Sequence, residues 1–279
     1  MEWKTLINDK RFGLEDYHDS KPGLRSDFQR DYDRLIFSSP FRRLQNKTQV
    51  FPLPGSIFVH NRLTHSLEVS SCGRSIANEV AEVLCHKYED ADVRQKLSHL
   101  GEIVAAACLA HDLGNPPFGH SGEKAISTFF SEGEGKCLES LLDCHQWQDL
   151  IKFEGNANAF RLLTHQFNGR RRGGFAMTDS MLASIVKYPF DSTLATKNKF
   201  GFFTTEIDDY KRIADELQIK RIDTESGIKY ARHPLVYIVE AADDICYEVM
   251  DIEDAHKLKI LSTAEVIDLF LGFFEGDRL

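Results

Sequence analysis

The spacing of apolar residues is the feature of this chain of 279 residues that most constrains its fold. Apolar side chains recur every three or four residues along nearly the whole sequence, which is the period of one face of an α-helix. Strand signals are weak, and the best of them are the segments 48–51 and 201–204. The pattern therefore predicts an all-α fold, with helices at about 64–87, 101–112, 121–131, 156–167, 178–187, 205–217, 234–250 and 263–275.

Composition narrows the class of protein. The formal net charge of −9 argues against general binding to polyanions such as nucleic acid, but it leaves room for a local basic pocket. The six cysteines are scattered without a C-x-x-C pair, so we expect small buried side chains rather than a disulfide framework or a zinc knuckle. The chain shows neither the apolar run of a signal peptide nor the roughly 18 apolar residues of a membrane span. These features predict a cytoplasmic protein with no membrane partner.

The adjacent residues His111 and Asp112 give the sharpest chemical signal. They follow the apolar run 103–110 and precede Gly114, which is expected to end the helix. An imidazole and a carboxylate side by side at the mouth of a buried helix form part of a cation site. The alternative is a pair of ordinary cap or surface residues, so the interpretation depends on further ligands from elsewhere in the chain.

His65 and Asp243 are the candidates for the missing ligands. His65 stands where a helical pattern begins, and Asp243 lies in an apolar stretch, where a carboxylate is costly unless it is paired, solvated or metal-bound. Two imidazoles and two carboxylates suit Mn²⁺, Fe²⁺, Zn²⁺, Ni²⁺ or Mg²⁺ and leave positions for water and phosphate oxygens. Taken alone, His65 would be a cap or core histidine, and Asp243 one half of a buried salt bridge to an arginine.

A histidine and a glutamate could supply proton transfer beside such a site. His120 and Glu123 are three residues apart at a predicted helix start, where Ser121 is the expected N-cap. A carboxylate that orients an imidazole makes it a good proton donor or acceptor near neutral pH. The alternative is a capping arrangement with a solvent-facing histidine.

One helix stripe carries polar groups suited to a nucleotide. Asp243, Tyr247 and Asp251 follow a spacing of four and therefore stack along one side of their helix. Such a stripe could bind phosphate at one end and sugar hydroxyls at the other. An exposed polar face is the alternative for the same spacing.

Basic residues stand out in a chain that is otherwise acidic. Arg62 lies three residues before His65, Arg42 and Arg43 are adjacent, and Lys187 ends a predicted helix. Arginine forks suit phosphate oxygens, and lysine adds a point charge. The run 170–172 of three arginines is interpreted as a surface loop, with contact to an anionic ligand or nucleic acid as the alternative.

The ordered set His65, His111, Asp112 and Asp243 resembles the signature of the HD-domain phosphohydrolases. Longer strings are similar to the deoxyguanosinetriphosphate triphosphohydrolases, in the expected order, at 41–52, 62–69, 111–120, 153–157 and 240–247. The resemblance runs from about residue 34 to 254 and implies an HD-domain helical bundle. It also implies hydrolysis of deoxynucleoside triphosphates, with dGTP as the first candidate, to a deoxynucleoside and inorganic triphosphate. The implied cofactor is a divalent metal ion, Mn or Mg first, with Fe, Ni, Zn or Co as further candidates.

The same resemblance implies roles for individual residues. The implied metal ligands are His65, His111, Asp112 and Asp243, and the implied catalytic pair is His120 and Glu123. The positions that match substrate contacts in the family are Gln49, Arg62, Asn156, Lys187, Tyr188, Tyr247 and Asp251. Close packing of Gln49, Val50 and Tyr247 would then exclude a 2′ hydroxyl, and Asp251 would accept a hydrogen bond from the 3′ hydroxyl.

The resemblance further implies a division of the chain. Residues 1–60 form an N-terminal segment that packs on the core, 61–256 the HD domain, and 257–279 the start of a C-terminal helical region that is truncated relative to the family. A homo-oligomer is expected for the full-length protein. Base preference, the physiological metal and allosteric control stay open. Two alternatives also remain, another HD-type nucleotidase or pyrophosphohydrolase and a catalytically weak nucleotide-sensing module.

Overall fold

The computed structural model describes residues 1–16, 24–48, 60–169, 172–195, 197–224 and 227–274. The α-helices in these ranges are α1 (Trp3–Leu6), α2 (Asp27–Ile36), α3 (Ser39–Arg43), α4 (Arg62–Cys85), α5 (Ala91–Leu97), α6 (Leu100–Ala110), α7 (His120–Ser131), α8 (Cys144–Ile151), α9 (Gly155–Thr164), α10 (Asp179–Ser184), α11 (Ile207–Glu216), α12 (Leu235–Lys257) and α13 (Thr263–Gly272). Short 3₁₀ helices cover Leu44–Asn46, Glu134–Leu141, Ser192–Leu194 and Thr204–Glu206. Strands β1 (Arg221–Thr224) and β2 (Gly227–Tyr230) form an antiparallel pair in which Arg221 lies opposite Tyr230.

The all-α prediction is confirmed, and all eight predicted helices are present with ends that differ by a few residues. The largest difference is in α12, which continues past the predicted end at 250 to Lys257. The predicted N-cap Ser121 is wrong, because α7 begins at His120 and Gly119 is its N-cap. Gly119 has a φ of +54°, a left-handed conformation that glycine adopts without strain.

The two strand predictions have different outcomes. The prediction at 201–204 is wrong, because these residues form a bend that leads into a 3₁₀ helix. Their apolar side chains pack on other rings, and Phe202 stacks on Tyr210 with the ring centroids 4.7 Å apart. In the segment 48–51, Thr48 forms an isolated bridge with Asn61, and 49–51 lie outside the described residues.

Helix α6 lies at the centre of the core and fixes the position of the residues that follow it. Every residue of α6 is buried except Glu102, which is partly exposed. Helices α2, α4, α10 and α12 all pack against it. Gly73 of α4 permits a close approach, because a Cβ added there would lie 2.7 Å from the Cys108 sulfur. The C-terminus of α6 therefore presents His111 where α4 and α12 also meet.

The cysteines are free throughout the described residues, as expected for a chain without a disulfide framework. The expectation that they are buried is only partly met, because Cys137 and Cys144 are exposed. Both lie on the surface near α8, away from the packed face of α6. Among the described residues, we find no helix with the length and apolar character needed to cross a membrane.

Candidate active site

Three of the four predicted metal ligands meet at one point. His65 lies in the first turn of α4, His111 caps the end of α6, and Asp243 lies in the middle of α12. The Nε2 atom of His65 is 2.9 Å from Oδ1 of Asp243, and the Nε2 atom of His111 is 3.5 Å from the same oxygen. One donor atom from each of the three residues lies within 4.8 Å of the others. Three separate helices thus bring two imidazoles and a carboxylate together.

The orientation of His111 leaves one of its nitrogens for a ligand. Its Nδ1 atom is 2.6 Å from the Cys108 carbonyl oxygen, which selects the tautomer with the proton on Nδ1. Its Nε2 atom is buried and has no hydrogen-bond partner among the described residues. A buried polar atom without a partner is costly. Nitrogen and carboxylate donors in this arrangement fit a first-row divalent cation, which would satisfy that atom.

Asp112, the fourth predicted ligand, lies beside these three residues. Its Oδ1 atom is 3.7 Å from Nε2 of His111. The same Oδ1 accepts a hydrogen bond from the Asn115 amide, and its Oδ2 accepts one of 2.5 Å from Arg62. The carboxylate is therefore held in place by two neighbours at the edge of the cluster.

Opposite charges dominate the electrostatics of this cluster. Burial alone would lower the pKa of His111, but the carboxylates of Asp112 and Asp243 outweigh it and raise that pKa to about 9. Burial alone would raise the pKa of Asp243, but His111 and His65 outweigh it and hold that pKa well below its usual range. The metal-free site thus compensates its own carboxylates with a proton on an imidazole.

His120 and Glu123 form the predicted pair. The Nδ1 atom of His120 is 2.8 Å from Oε2 of Glu123. The other carboxylate oxygen of Glu123 accepts a 2.8 Å hydrogen bond from the backbone N–H of Gly155, at the start of α9. The Glu123 side chain is 11% exposed, whereas that of His120 is 85% exposed. Glu123 is therefore a fixed support, and the imidazole that it orients faces solvent.

A cavity of about 520 Å³ joins the metal-ligand cluster to this pair. It is lined by most of the residues that the sequence singled out, namely Arg62, His65, His111, Asp112, His120, Glu123, Asn156, Lys187, Tyr188, Asp243 and Tyr247. Asp251 does not line it, but it lies near Tyr247, and burial together with the Asp251 carboxylate raises the pKa of that phenol. Gln49 and Val50 lie outside the described residues.

Lys187, Lys199 and Arg62 place positive charge on the cavity wall. Lys187 forms a 2.8 Å ion pair with Glu240, and this bond outweighs burial to raise the pKa of Lys187. The Nε atom of Arg62 is buried without a hydrogen-bond partner among the described residues. Of the other basic candidates, Arg42 and Arg43 are exposed on α3 and do not line the cavity, and Arg170 and Arg171 lie outside the described residues.

Sequence reasoning missed three residues that shape the cavity. Lys199 lies 2.8 Å from Glu154 and 3.7 Å from Glu123, and it stands in a loop with no helical pattern to draw attention to it. Glu154 is buried and caps α9 through the Asn156 and Ala157 backbone N–H groups. Asn115 bonds Asp112, and its place three residues after that carboxylate was the available signal.

Sequence comparisons find one matching family model and several curated relatives of this chain. The family model described as HD domain matches residues 62–217. A deoxyguanosinetriphosphate triphosphohydrolase-like protein of Pseudomonas aeruginosa is 43% identical over 99% of this chain and 62% of its own length. One of the same name from Synechocystis is 40% identical over 96% of this chain and 63% of its own length. The deoxyguanosinetriphosphate triphosphohydrolase of Yersinia enterocolitica is 33% identical over 96% of this chain and 57% of its own length. This chain thus spans less than two thirds of the length of these curated relatives.

Proposed function

The chain belongs to the HD-domain family, and from that premise we propose that it is a hydrolase of deoxynucleoside triphosphates. The proposed products are a deoxynucleoside and inorganic triphosphate, and dGTP is the first substrate to test. The names of the relatives support this choice. The main supporting observation is the cavity itself. It is lined both by the three-residue cluster of His65, His111 and Asp243 and by the His120–Glu123 pair.

His65, His111, Asp112 and Asp243 are the residues proposed to hold a divalent metal ion. The donor set of imidazoles and carboxylates fits Mn²⁺ or Mg²⁺, and Fe, Ni, Zn or Co would also find suitable ligands. When bound, such an ion supplies Lewis-acid polarisation of a phosphate oxygen and a lower pKa for water. The Nε2 atom of His111 supports this assignment, because it is buried, makes no hydrogen bond of good geometry to a described residue and lies 3.5 Å from the Asp243 carboxylate.

Arg62, Lys187 and Lys199 are proposed to bind the triphosphate. All three line the same cavity and carry positive charge close to the cluster. The Nη1 atom of Arg62 is engaged with Asp112, and its buried Nε donor has no hydrogen-bond partner among the described residues. Hydrogen bonds from charged donors to phosphate oxygens are about twice as strong as neutral ones. Asn156 and Tyr188 complete this wall of the cavity.

His120 is proposed to give a proton to the 5′ oxygen as its bond to the α-phosphorus breaks and the oxygen of a water molecule bonds to that phosphorus in its place. Glu123 engages Nδ1, so Nε2 is the atom that faces the substrate and carries that proton. The 5′ alkoxide is a poor leaving group, and general acid catalysis of this kind contributes typically about 10²–10⁴-fold. The fixed position of Glu123 would keep the imidazole aimed during the reaction.

Recognition of the deoxyribose is proposed to use Gln49, Tyr247 and Asp251. Tyr247 lines the cavity, and the nearby Asp251 carboxylate adds to burial in raising the pKa of its phenol, so the two side chains form a polar pair. Tyr247 would pack where a 2′ hydroxyl would lie, and Asp251 would accept a hydrogen bond from the 3′ hydroxyl. A cytoplasmic location and a homo-oligomeric full-length protein stay predictions.

The test is to incubate the protein with each dNTP and Mn²⁺ or Mg²⁺ and to identify the products by ion-exchange chromatography. We expect inorganic triphosphate and deoxynucleoside in equal amounts. Orthophosphate or pyrophosphate would instead indicate another HD-type nucleotidase or pyrophosphohydrolase. Binding of dNTP without turnover would indicate a sensing module.

A further inference from the structure

Lys47 makes an unusual connection to the turn that carries Asp112. Its ammonium group donates a hydrogen bond of 2.6 Å to the Asn115 carbonyl oxygen and a longer one of 3.4 Å to that of Leu113. These carbonyl groups belong to the residues that directly follow His111 and Asp112. Lys47 itself is partly buried and is not among the residues that line the cavity.

The backbone of Lys47 is tied to the other support of Asp112. Its carbonyl oxygen accepts a 3.0 Å hydrogen bond from the backbone N–H of Arg62. The guanidinium of Arg62 bonds one carboxylate oxygen of Asp112, and the Asn115 amide bonds the other. Lys47 therefore contacts both of the residues that orient Asp112, one through its carbonyl oxygen and the other through its ammonium.

The same turn also packs against helix α9. Gly114 packs so closely on it that an added Cβ would lie 2.1 Å from the Gly155 carbonyl oxygen. The amide of Asn158 also donates a 2.8 Å hydrogen bond to the Gly114 carbonyl oxygen. The turn is thus supported by both α9 and Lys47, and removal of the ammonium would release one of these two supports.

We propose that Lys47 is a positioning residue for the metal ligand Asp112, acting through the 112–115 turn rather than by contact with substrate or metal. This inference rests on the proposed function, because it takes Asp112 as a ligand. Groups that orient metal ligands from the next layer typically change metal affinity or activity by about 10–100-fold when they are removed. A loss of that size in metal affinity is the expected consequence of losing the Lys47 ammonium.

Lys96 provides a matched control for the general effect of a partly buried lysine. Its ammonium also donates to two backbone carbonyl oxygens, those of Lys4 at 2.6 Å and Ile7 at 2.9 Å. It is partly buried like Lys47, but its two partners belong to α1 and its C-cap rather than to the 112–115 turn. A purely structural role for Lys47 predicts that Lys47→Met and Lys96→Met behave alike.

The experiment measures Mn²⁺ affinity by electron paramagnetic resonance, together with thermal unfolding, for the wild type, Lys47→Met, Lys47→Arg and Lys96→Met. We expect Lys47→Met to bind Mn²⁺ about 10–100-fold more weakly. Lys47→Arg should recover most of the affinity, and Lys96→Met should match the wild type. Both methionine variants should lose similar thermal stability.

The role of Lys47 is overturned if Lys47→Met retains wild-type affinity, or if both methionine variants lose affinity equally. Failure of the proposed function would look different, because the wild type itself would then bind no Mn²⁺, and the role of Lys47 would fall with it. Should Lys47→Met not fold, Lys47→Gln is measured with the same two outcomes.

Discussion

The imidazole of His65 lies 2.9 Å from the carboxylate of Asp243, although 178 residues separate the two in the sequence. His111 approaches the same carboxylate oxygen from a third helix, at 3.5 Å. The buried helix α6 sets this geometry, because α4 and α12 both pack against it. The predictions below test whether this meeting point is a metal site and whether the groups around it act as proposed.

The role of Asp243 as a metal ligand can be tested with the adjacent Asp244 as a control. Asp243→Asn removes the only carboxylate of the three-residue cluster, so we expect Mn²⁺ affinity and dNTP turnover to fall by more than about 100-fold. Asp244→Asn is the matched control, because that carboxylate is exposed on the same helix. Calorimetric titration with Mn²⁺ and a turnover assay check both. If the two variants have the same Mn²⁺ affinity and the same turnover, Asp243 is not a metal ligand.

Substitution of His120 should separate chemistry from metal binding. His120→Gln keeps a polar side chain but removes the proposed acid, so turnover should drop by about 10²–10⁴-fold. Mn²⁺ affinity should not change, because His120 is not part of the three-residue cluster. His86→Gln, on the surface at the end of α4, serves as the control. Retained turnover in His120→Gln at equal metal occupancy would contradict the acid role.

The raised pKa of His111 predicts proton release on metal binding. A folded-state pKa of about 9, above the ordinary value of 6.5, means that His111 is protonated at pH 7.5 and must lose its proton to bind an ion. Calorimetry in buffers of different ionisation enthalpy should therefore report about one proton released per Mn²⁺. Apparent affinity should rise with pH until about pH 9. No proton release at pH 7.5 would contradict the electrostatic description.

The metal-free protein should also lose stability as the pH rises. The contribution of protonated His111 is fully present below the ordinary pKa of 6.5 and is lost as the pH rises through about 9. The contribution of Asp243 has the opposite sign, because its lowered pKa makes it favourable above the ordinary value of 3.8 and lost on acidification. Urea unfolding with a chelator present should show a decline between pH 7 and 9. A rise over that interval would contradict this account.

Arg62→Met leaves the buried Asp112 carboxylate without its charged partner. The side chains are 8% and 9% exposed, and removal of one member of a buried pair typically costs about 3–5 kcal/mol. Bound Mn²⁺ should restore part of that loss by offsetting the charge of Asp112. Urea unfolding with and without Mn²⁺ measures both effects, and Arg62→Lys should lose less. Equal losses with and without the metal would argue that Asp112 does not face the ion.

Gly114→Ala should disturb the turn that carries Asp112. The new Cβ would lie 2.1 Å from both the Ala159 backbone nitrogen and the Gly155 carbonyl oxygen, so the turn must move away from α9. Overpacking of this kind typically costs about 1–3 kcal/mol. Gly272→Ala is the control, because no atom lies within 4 Å of its added Cβ. A Gly114→Ala variant as stable as the control would contradict the contact.

Five of the described helices, α1, α2, α3, α5 and α8, were not predicted from the sequence, and length explains three of them. Helices α1, α3 and α5 have four, five and seven residues, which is too few for an apolar repeat to emerge. The end of α12 was placed too early because its last turns look polar. Asp254 is buried there and bonds His60 at 3.1 Å, so its burial depends on a tertiary contact that no local pattern reveals.

The candidate site was predictable where its residues stand in ordered strings. His111, Asp112 and His120 lie in the single segment 111–120, and their roles were predicted from that segment and from its resemblance to the HD-domain phosphohydrolases. Lys199 and Lys47 act through contacts with distant backbone or carboxylate groups, and their own neighbours in the chain give no sign of this. Contacts between residues so far apart in the sequence depend on how α4, α6, α9 and α12 pack. The spacing of apolar residues along the chain does not determine that packing.

The most direct measurement is a crystal structure of the protein soaked with Mn²⁺ and a non-hydrolysable dGTP analogue, with the ion located by anomalous scattering. The account predicts one Mn²⁺ within about 2.3 Å of the His65 and His111 Nε2 atoms and of the Asp243 carboxylate, with Asp112 and a phosphate oxygen beside it. An ion bound elsewhere, or these side chains bonded only to one another in the presence of Mn²⁺ and the analogue, would contradict it.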